Sequence, residues 1–310
     1  MKPITFEEAY YIKLGRKGEW EQSSITKDRA RIGWDSQTLE DINHHNWDKI
    51  CKQLKKQFMD NGVTDKGAPT RDLNALRAFV ESTSDDVWIT FYKGRLWWCR
   101  LMGPVRSDKI SKYRKTKGHW SDQDIKKNLL LINQISGRLS KIQRFQGTVC
   151  RVKETADLRR LLNHELSKES RAIEVAKETL VKKVESGLHL LHWRDFETLI
   201  DLLFTNAGWH RLSMVGNTMK YVDIECEEPI TKDLYQIQVK SAAAVTDFTQ
   251  YSKKFSRRGF KRLYFVVHSP SPDLTSYKPE DKNVELVLPK RLAQMVVDLG
   301  LTDWLLKKIK

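Results

Sequence analysis

Asp223, Gln238 and Lys240 stand out because an acid, an amide and an amine fall at alternating positions in two short apolar stretches. Tyr221-Val222-Asp223-Ile224-Glu225-Cys226 alternates as a half-buried strand does, so Asp223 and Glu225 share a face. Tyr235-Gln236-Ile237-Gln238-Val239-Lys240-Ser241 alternates in the same way and sets Gln236, Gln238 and Lys240 together. If the two strands pair, acid, amide and amine converge. Glu197 lies on a preceding helical stretch within reach of the same spot.

Such a set suits hydrolysis of a phosphodiester. A hard divalent cation, Mg²⁺ or Mn²⁺, takes oxygen ligands, for which Asp223 is the anionic candidate. The Gln238 amide oxygen and the Val239 backbone carbonyl are neutral candidates, and Glu197 can hold a water or a second cation. A bound cation lowers the pKa of its water, while Lys240 can orient that water and offset charge building on the phosphoryl oxygens. Glu225 reads as a rim residue. His192, His210 and His268 are scattered and read as surface or satisfied core histidines.

The elements that must position these residues follow from periodicity. Trp193 to Phe204 is an amphipathic helix stopped at Asn206-Ala207-Gly208. Strands are expected at 209–215, 219–226 and 234–241, then a helix capped by Thr246 or Asp247 and reaching Arg258, then a buried strand from Lys261 to His268. The order is αβββαβ. Residues 153–187 contain strong helix formers with Leu158, Leu161, Leu162 and Leu166 on one face, a helical connector broken near Ser167–Ser170 and ended by Gly187. The chain therefore reads as α/β (α+β) with three parts: a β-rich domain at 1–152, the connector at 153–187, and the αβββαβ domain at 188–310.

With those residues in place, Phe196-Glu197, Gly216, Val222-Asp223-Ile224 and Gln238-Val239-Lys240 resemble, in order and spacing, the Mrr-type endonucleases of the PD-(D/E)xK superfamily. The resemblance covers about 80 residues and implies a restriction-endonuclease-like core. It also implies a catalytic set of Glu197, Asp223, Gln238 and Lys240, with Asp223, Gln238 and Glu197 facing the metal. Gly216-Asn217-Thr218 and Val222 stand where the family usually has a Gly-Gly turn and a glycine before Ile-Asp.

The first 152 residues hold seven of the ten tryptophans. Asp86 to Tyr92, a Lys93-Gly94 turn and Arg95 to Leu101 read as a hairpin, and Gly147 to Val152 as another strand. Trp97 and Trp98 are adjacent on a strand and point to opposite faces, so one face is either covered or forms a pocket. Trp20, Trp34, Trp97 and Trp98 are the candidates for walls around an extruded base, or for the core of a small barrel. Asp86-Val87-Trp88-Ile89 with Leu96-Trp97-Trp98-Cys99, and Lys13-Leu14-Gly15-Arg16-Lys17-Gly18-Glu19-Trp20 with Arg31-Ile32-Gly33-Trp34, resemble PUA-superfamily domains of the EVE type. That resemblance implies reading of a modified base in DNA, or RNA binding. Lys13 to Gly18 is not a phosphate loop, since no GK[ST] follows.

Lys112, Arg114, Lys115 and Lys117 interleave with Tyr113 and Trp120, as either a backbone-gripping or a solvated loop does. The formal net charge is +15, which favours a polyanionic partner. Residues 1–185 carry 37 basic against 25 acidic residues, and 186–310 carry 18 against 15, so the phosphate grip is expected from the front. No apolar run approaches the length of a bilayer span, and Glu7-Glu8 stands where a signal peptide is apolar, so a cytoplasmic protein is expected. Four cysteines without a CxxC pair argue against a zinc or disulfide framework.

Together these readings predict a modification-dependent, type IV-like DNA endonuclease acting against foreign DNA. An RNase or structure-specific nuclease and a non-catalytic nucleic-acid reader are the alternatives. One centre cuts one strand, so a double-strand break requires a homodimer or two binding events.

Overall fold

The computed structural model describes residues 2–212, 223–255 and 259–310. The chain is mixed α/β and splits into two units, Met1–Ser167 and Lys168–Lys310.

The first unit contains β1 (Ala9–Ile12), α1 (Glu21–Thr26), β2 (Arg29–Ile32), α2 (Leu39–Asn43), α3 (Trp47–Asp60), α4 (Ala68–Glu81), β3 (Val87–Tyr92), β4 (Arg95–Cys99), β5 (Leu101–Ser107), β6 (Lys112–Thr116), α5 (Gly137–Ser140), β7 (Val149–Arg151) and α6 (Thr155–Leu162). They build a four-stranded sheet in the order β4-β3-β1-β7 and a three-stranded one in the order β2-β6-β5. The hairpin expected around Lys93-Gly94 is β3–β4. Lys93 (φ 48°) and Gly94 (φ 72°) both take the left-handed backbone that a two-residue hairpin turn requires.

Both faces of the four-stranded sheet are covered. Trp88, Trp97 and Cys99 pack with Ile50, Leu54, Leu76 and Phe79 of α3 and α4, whereas Val87, Ile89, Leu96 and Trp98 pack with Leu158 and Leu162 of α6. The two 14-residue helices α3 and α4 lie in the stretch expected to be β-rich. Their apolar residues, Ile50 with Leu54 and Leu73 with Leu76, do recur at helical spacing.

The second unit contains α7 (Lys168–Leu188), α8 (Trp193–Asn206), β8 (His210–Arg211), β9 (Ile224–Glu227), β10 (Leu234–Ala243), α9 (Val245–Lys254), β11 (Phe260–Pro270), α10 (Pro272–Ser276), β12 (Val284–Val287), α11 (Pro289–Asp298) and α12 (Thr302–Lys308). Among the described residues the sheet runs β12-β11-β10-β9-β8, with β10 parallel to β11 and antiparallel to β9. The helical segment 153–187 is shared between the units, since α6 lies in the first and α7 in the second. Gly216-Asn217-Thr218 and Val222 lie outside the described residues, as do the strand residues expected at 213–215 and 219–222 and the helix end expected at Arg258.

α8 forms because Phe196, Leu199, Ile200 and Leu203 make one stripe, and it ends where Gly208 turns to φ 88°. That stripe packs on Ile237, Val239 and Val266. Burial of such side chains stabilises by about 1.5–3 kcal/mol each, which clamps β10 against α8. Strand alternation then turns Gln236, Gln238 and Lys240 to the opposite face. There their β11 partners Leu263, Phe265 and Val267 pack with Phe248 of α9. Among the described residues no helix is long and apolar enough to cross a membrane.

Candidate nuclease centre and an aromatic cavity

β9 and β10 pair with Ile224 opposite Ile237 and Glu225 opposite Gln236, so Asp223, one residue before β9, falls beside Gln238. The Asp223 carboxylate accepts the Gln238 side-chain amide and the Val239 backbone N–H at 2.7 Å. Its own N–H donates to the Ile237 carbonyl at 3.2 Å. Both side-chain bonds fall on Oδ2; Oδ1 takes neither. The Val239 group that meets the carboxylate is its backbone N–H. Glu225 and Gln236 repeat the acid–amide pairing more loosely, at 3.4 Å.

Lys240 stands on the same face of β10, with its Nζ 5.0 Å from the ring centroid of Tyr251 on α9. Glu197 belongs to α8, which packs on the other face, and among the described residues no hydrogen bond joins it to Asp223, Gln238 or Lys240. It is close enough to act by charge. Burial, then the Asp223 carboxylate, hold Glu197 above its ordinary pKa, against Arg194, Arg211 and Lys240. Burial likewise raises Asp223, against the Val239 amide, Lys240 and Gln238. A cation near Asp223 would offset the cost of burying its charge.

One atom speaks directly to that point. Gln238 is 1% exposed, and its Oε1 has no hydrogen-bond partner among the described residues. An unpaired amide oxygen buried on a central strand is costly, and a hard cation is a partner that satisfies it. The donor set of carboxylate, amide oxygen and a second carboxylate nearby fits Mg²⁺ or Mn²⁺. Among the described residues no cluster of three or more His, Cys, Asp or Glu side chains forms a metal site, so a cation here relies on the amide.

His268, one of the three scattered histidines, belongs to the core beneath this face. It is 4% exposed, lies edge-on to Phe196 at 4.4 Å, and burial lowers its pKa to about 4.

The tryptophans of the first unit pack against two core clusters. Trp97 and Trp98 occupy opposite cores, and their indole N–H groups donate to the carbonyls of Tyr92 at 3.2 Å and Gln123 at 2.9 Å. With both sheet faces covered, the choice posed by their adjacency resolves as packing. Trp20 and Trp34 also pack on the Trp97 side, and Trp34 but not Trp20 lines the cavity there. Trp20 packs where a Cβ on Gly15 would strike its ring at 2.9 Å, and where one on Gly33 would lie 4.0 Å away.

Trp34 has φ 59°, a strained backbone for a bulky residue. Its indole N–H donates to Asp72 at 3.1 Å, and its carbonyl accepts from Lys112 Nζ at 2.9 Å. Gly33, Trp34, Asp35, Ser36, Gln57, Asp72 and Thr148 line a cavity of about 270 Å³. Burial raises the Asp72 pKa, and Gln37, next in that loop, is buried with neither amide atom partnered among the described residues. Asp72, Gln57 and Thr148 carry no local sequence signal, because they arrive from α4, α3 and the segment before β7.

The basic run is a strand rather than a loop, and this corrects half of it. Lys112 and Arg114 point inward. Lys112 holds the Trp34 loop, and Arg114 donates to the carbonyls of Phe79, Gly103 and Ser82 at 2.6, 3.0 and 3.1 Å. Alternation leaves Lys115, with Lys117 beyond the strand end, exposed to solvent.

No family model matches this chain, and no curated protein does. Among solved structures the chain is similar to the MspJI restriction endonuclease in complex with a 27-mer oligonucleotide. The two share 14% identity over 79% of this chain and 70% of that one, at a TM-score of 0.24.

Proposed function

We propose that this protein is a divalent-cation-dependent DNA endonuclease that cuts near a modified base, a type IV-like defence against foreign DNA. The observation that carries the nuclease reading is the half-buried Asp223 carboxylate paired with the buried Gln238 beside an ammonium, with the Gln238 amide oxygen left without a partner among the described residues. Mg²⁺ or Mn²⁺ held by Asp223 and Gln238, with Glu197 nearby, would supply an acidified water and charge stabilisation at the phosphoryl oxygens. The Gln238 and Val239 N–H groups orient the Asp223 carboxylate. Lys240 faces the negative charge that builds as water adds to phosphorus and the P–O bond to the leaving strand breaks.

The choice of a modified base draws on the first unit. The Trp34 cavity offers an aromatic wall with carboxylate, amide and hydroxyl edges, the chemistry that receives an extruded base. The excess of positive charge in residues 1–185, with Lys115 and Lys117 exposed, suits a phosphate backbone.

The test incubates the protein and Mg²⁺ with duplexes that each carry one defined modification, an unmodified duplex, single-stranded RNA and tRNA. Cutting confined to a modified duplex and abolished by chelation is expected. Equal cutting of every duplex removes the modification dependence, preference for RNA moves the reading to an RNase, and no cutting at all removes the enzyme.

A further inference from the structure

Lys240 has two attractors within range, and the structure shows which one holds it. Its ammonium lies over the Tyr251 ring at 5.0 Å. Among the described residues it makes no ion pair within 4.0 Å, although its charge is felt at Asp223. The ring is itself anchored: Tyr251 packs on Phe265 with centroids 5.8 Å apart, and Phe265 is the fully buried β11 partner of Gln238. The aromatic face is therefore fixed to the same sheet that carries the acid–amide pair.

The alternative arrangement is cheap to reach, because a lysine stem is long and flexible. An ammonium that swung onto Asp223 would neutralise the carboxylate paired with Gln238 and occupy the place of a divalent cation. We propose that Tyr251 is a positioning residue that seats the Lys240 ammonium on its ring face and so keeps the Asp223 carboxylate open to a metal ion. This rests on the nuclease reading of the centre. A ring face attracts a cation strongly enough to compete with a partly solvated carboxylate, yet leaves the carboxylate its charge. It also holds the ammonium beside the place where phosphoryl charge develops.

The experiment titrates Mn²⁺ into the full-length protein, followed by calorimetry, for the wild type, Asp223→Ala, Tyr251→Phe, Tyr251→Leu and the double variant Tyr251→Leu/Lys240→Ala. Tyr251→Phe keeps the ring face and should bind as the wild type does. Tyr251→Leu should bind Mn²⁺ about 5- to 10-fold more weakly and show kcat about 10-fold lower. Removing Lys240 in the double variant should restore the Mn²⁺ affinity, which a merely structural role for Tyr251 would not do. Wild-type affinity in Tyr251→Leu, a loss in Tyr251→Phe equal to that in Tyr251→Leu, or a double variant that stays weak each overturns the proposal. If the wild type takes up no Mn²⁺, or Asp223→Ala binds as well as the wild type, the metal reading of the centre itself fails and the role of Tyr251 falls with it.

Discussion

The second unit gathers its polar groups by strand alternation, and the first gathers them by loop and helix packing. Gln238 and Lys240 sit two apart on β10 and Asp223 one residue before β9, so one register sets Asp223 beside Gln238 with Lys240 on the same face. Around the Trp34 cavity, Trp34, Gln57, Asp72 and Thr148 come from four separate segments. Both places bury polar groups that lack partners among the described residues, Gln238 Oε1 in one and the Gln37 amide beside the other. The difference is mechanical. The acid–amide pair is built on a central strand clamped by α8, whereas the cavity is lined by a strained loop that Lys112 and Asp72 hold in place.

The largest effect should come from the strand-built centre. Lys240→Ala should lower the single-turnover cleavage rate by about 10³-fold or more, while leaving the thermal midpoint close to that of the wild type. A rate within a factor of about ten of wild type would return the centre to an ordinary polar face of a sheet.

The loop-built side answers to stability first. Arg114→Met removes a guanidinium bonded to three carbonyls in the interior, so denaturant unfolding should show a loss of about 3 kcal/mol. A loss below about 0.5 kcal/mol would place Arg114 back on the surface with the other cations of its run.

His268 tests the packing beneath the centre. Its pKa is depressed from the ordinary histidine value to about 4. Its contribution is therefore present above the unfolded-state value and lost as pH falls from about 6.5 through the folded-state value. His268→Gln should remove up to about 2 kcal/mol of that acid-side loss, read as a flatter thermal midpoint between about pH 7 and pH 4. An unchanged slope would mean that His268 is solvated.

The smallest effect belongs to the exposed cations. Replacing Lys115 and Lys117 together by alanine should weaken DNA binding uniformly across sequences and reduce the salt slope by about 1 for each phosphate no longer neutralised. If instead binding weakens for modified duplexes alone, these lysines belong to the recognition site.

What is legible in the sequence follows the same divide. Alternation in Tyr235 to Ser241 and the stripe in Trp193 to Phe204 predict β10 and α8 within a few residues, because a single periodicity dictates each. The Lys93-Gly94 turn announces its hairpin through the left-handed backbone it needs. Helices α3 and α4 are masked by the tryptophan-rich, β-prone runs on either side, although Ile50 and Leu54 recur at i, i+4. Lys112 and Arg114 look like a surface run, since composition cannot tell which face of a strand meets the core. Tyr251, Asp72 and Thr148 are invisible, because each acquires its meaning from a residue distant in sequence or brought near only by folding.

The division of labour between the two units comes down to one experiment, single-turnover cleavage of a matched modified and unmodified duplex by the wild type, Asp223→Ala and Trp34→Ala. Asp223→Ala should cut neither, and Trp34→Ala should lose the preference between them by about 10-fold or more while still cutting. Cleavage by Asp223→Ala at the wild-type rate, or an intact preference in Trp34→Ala, would contradict it.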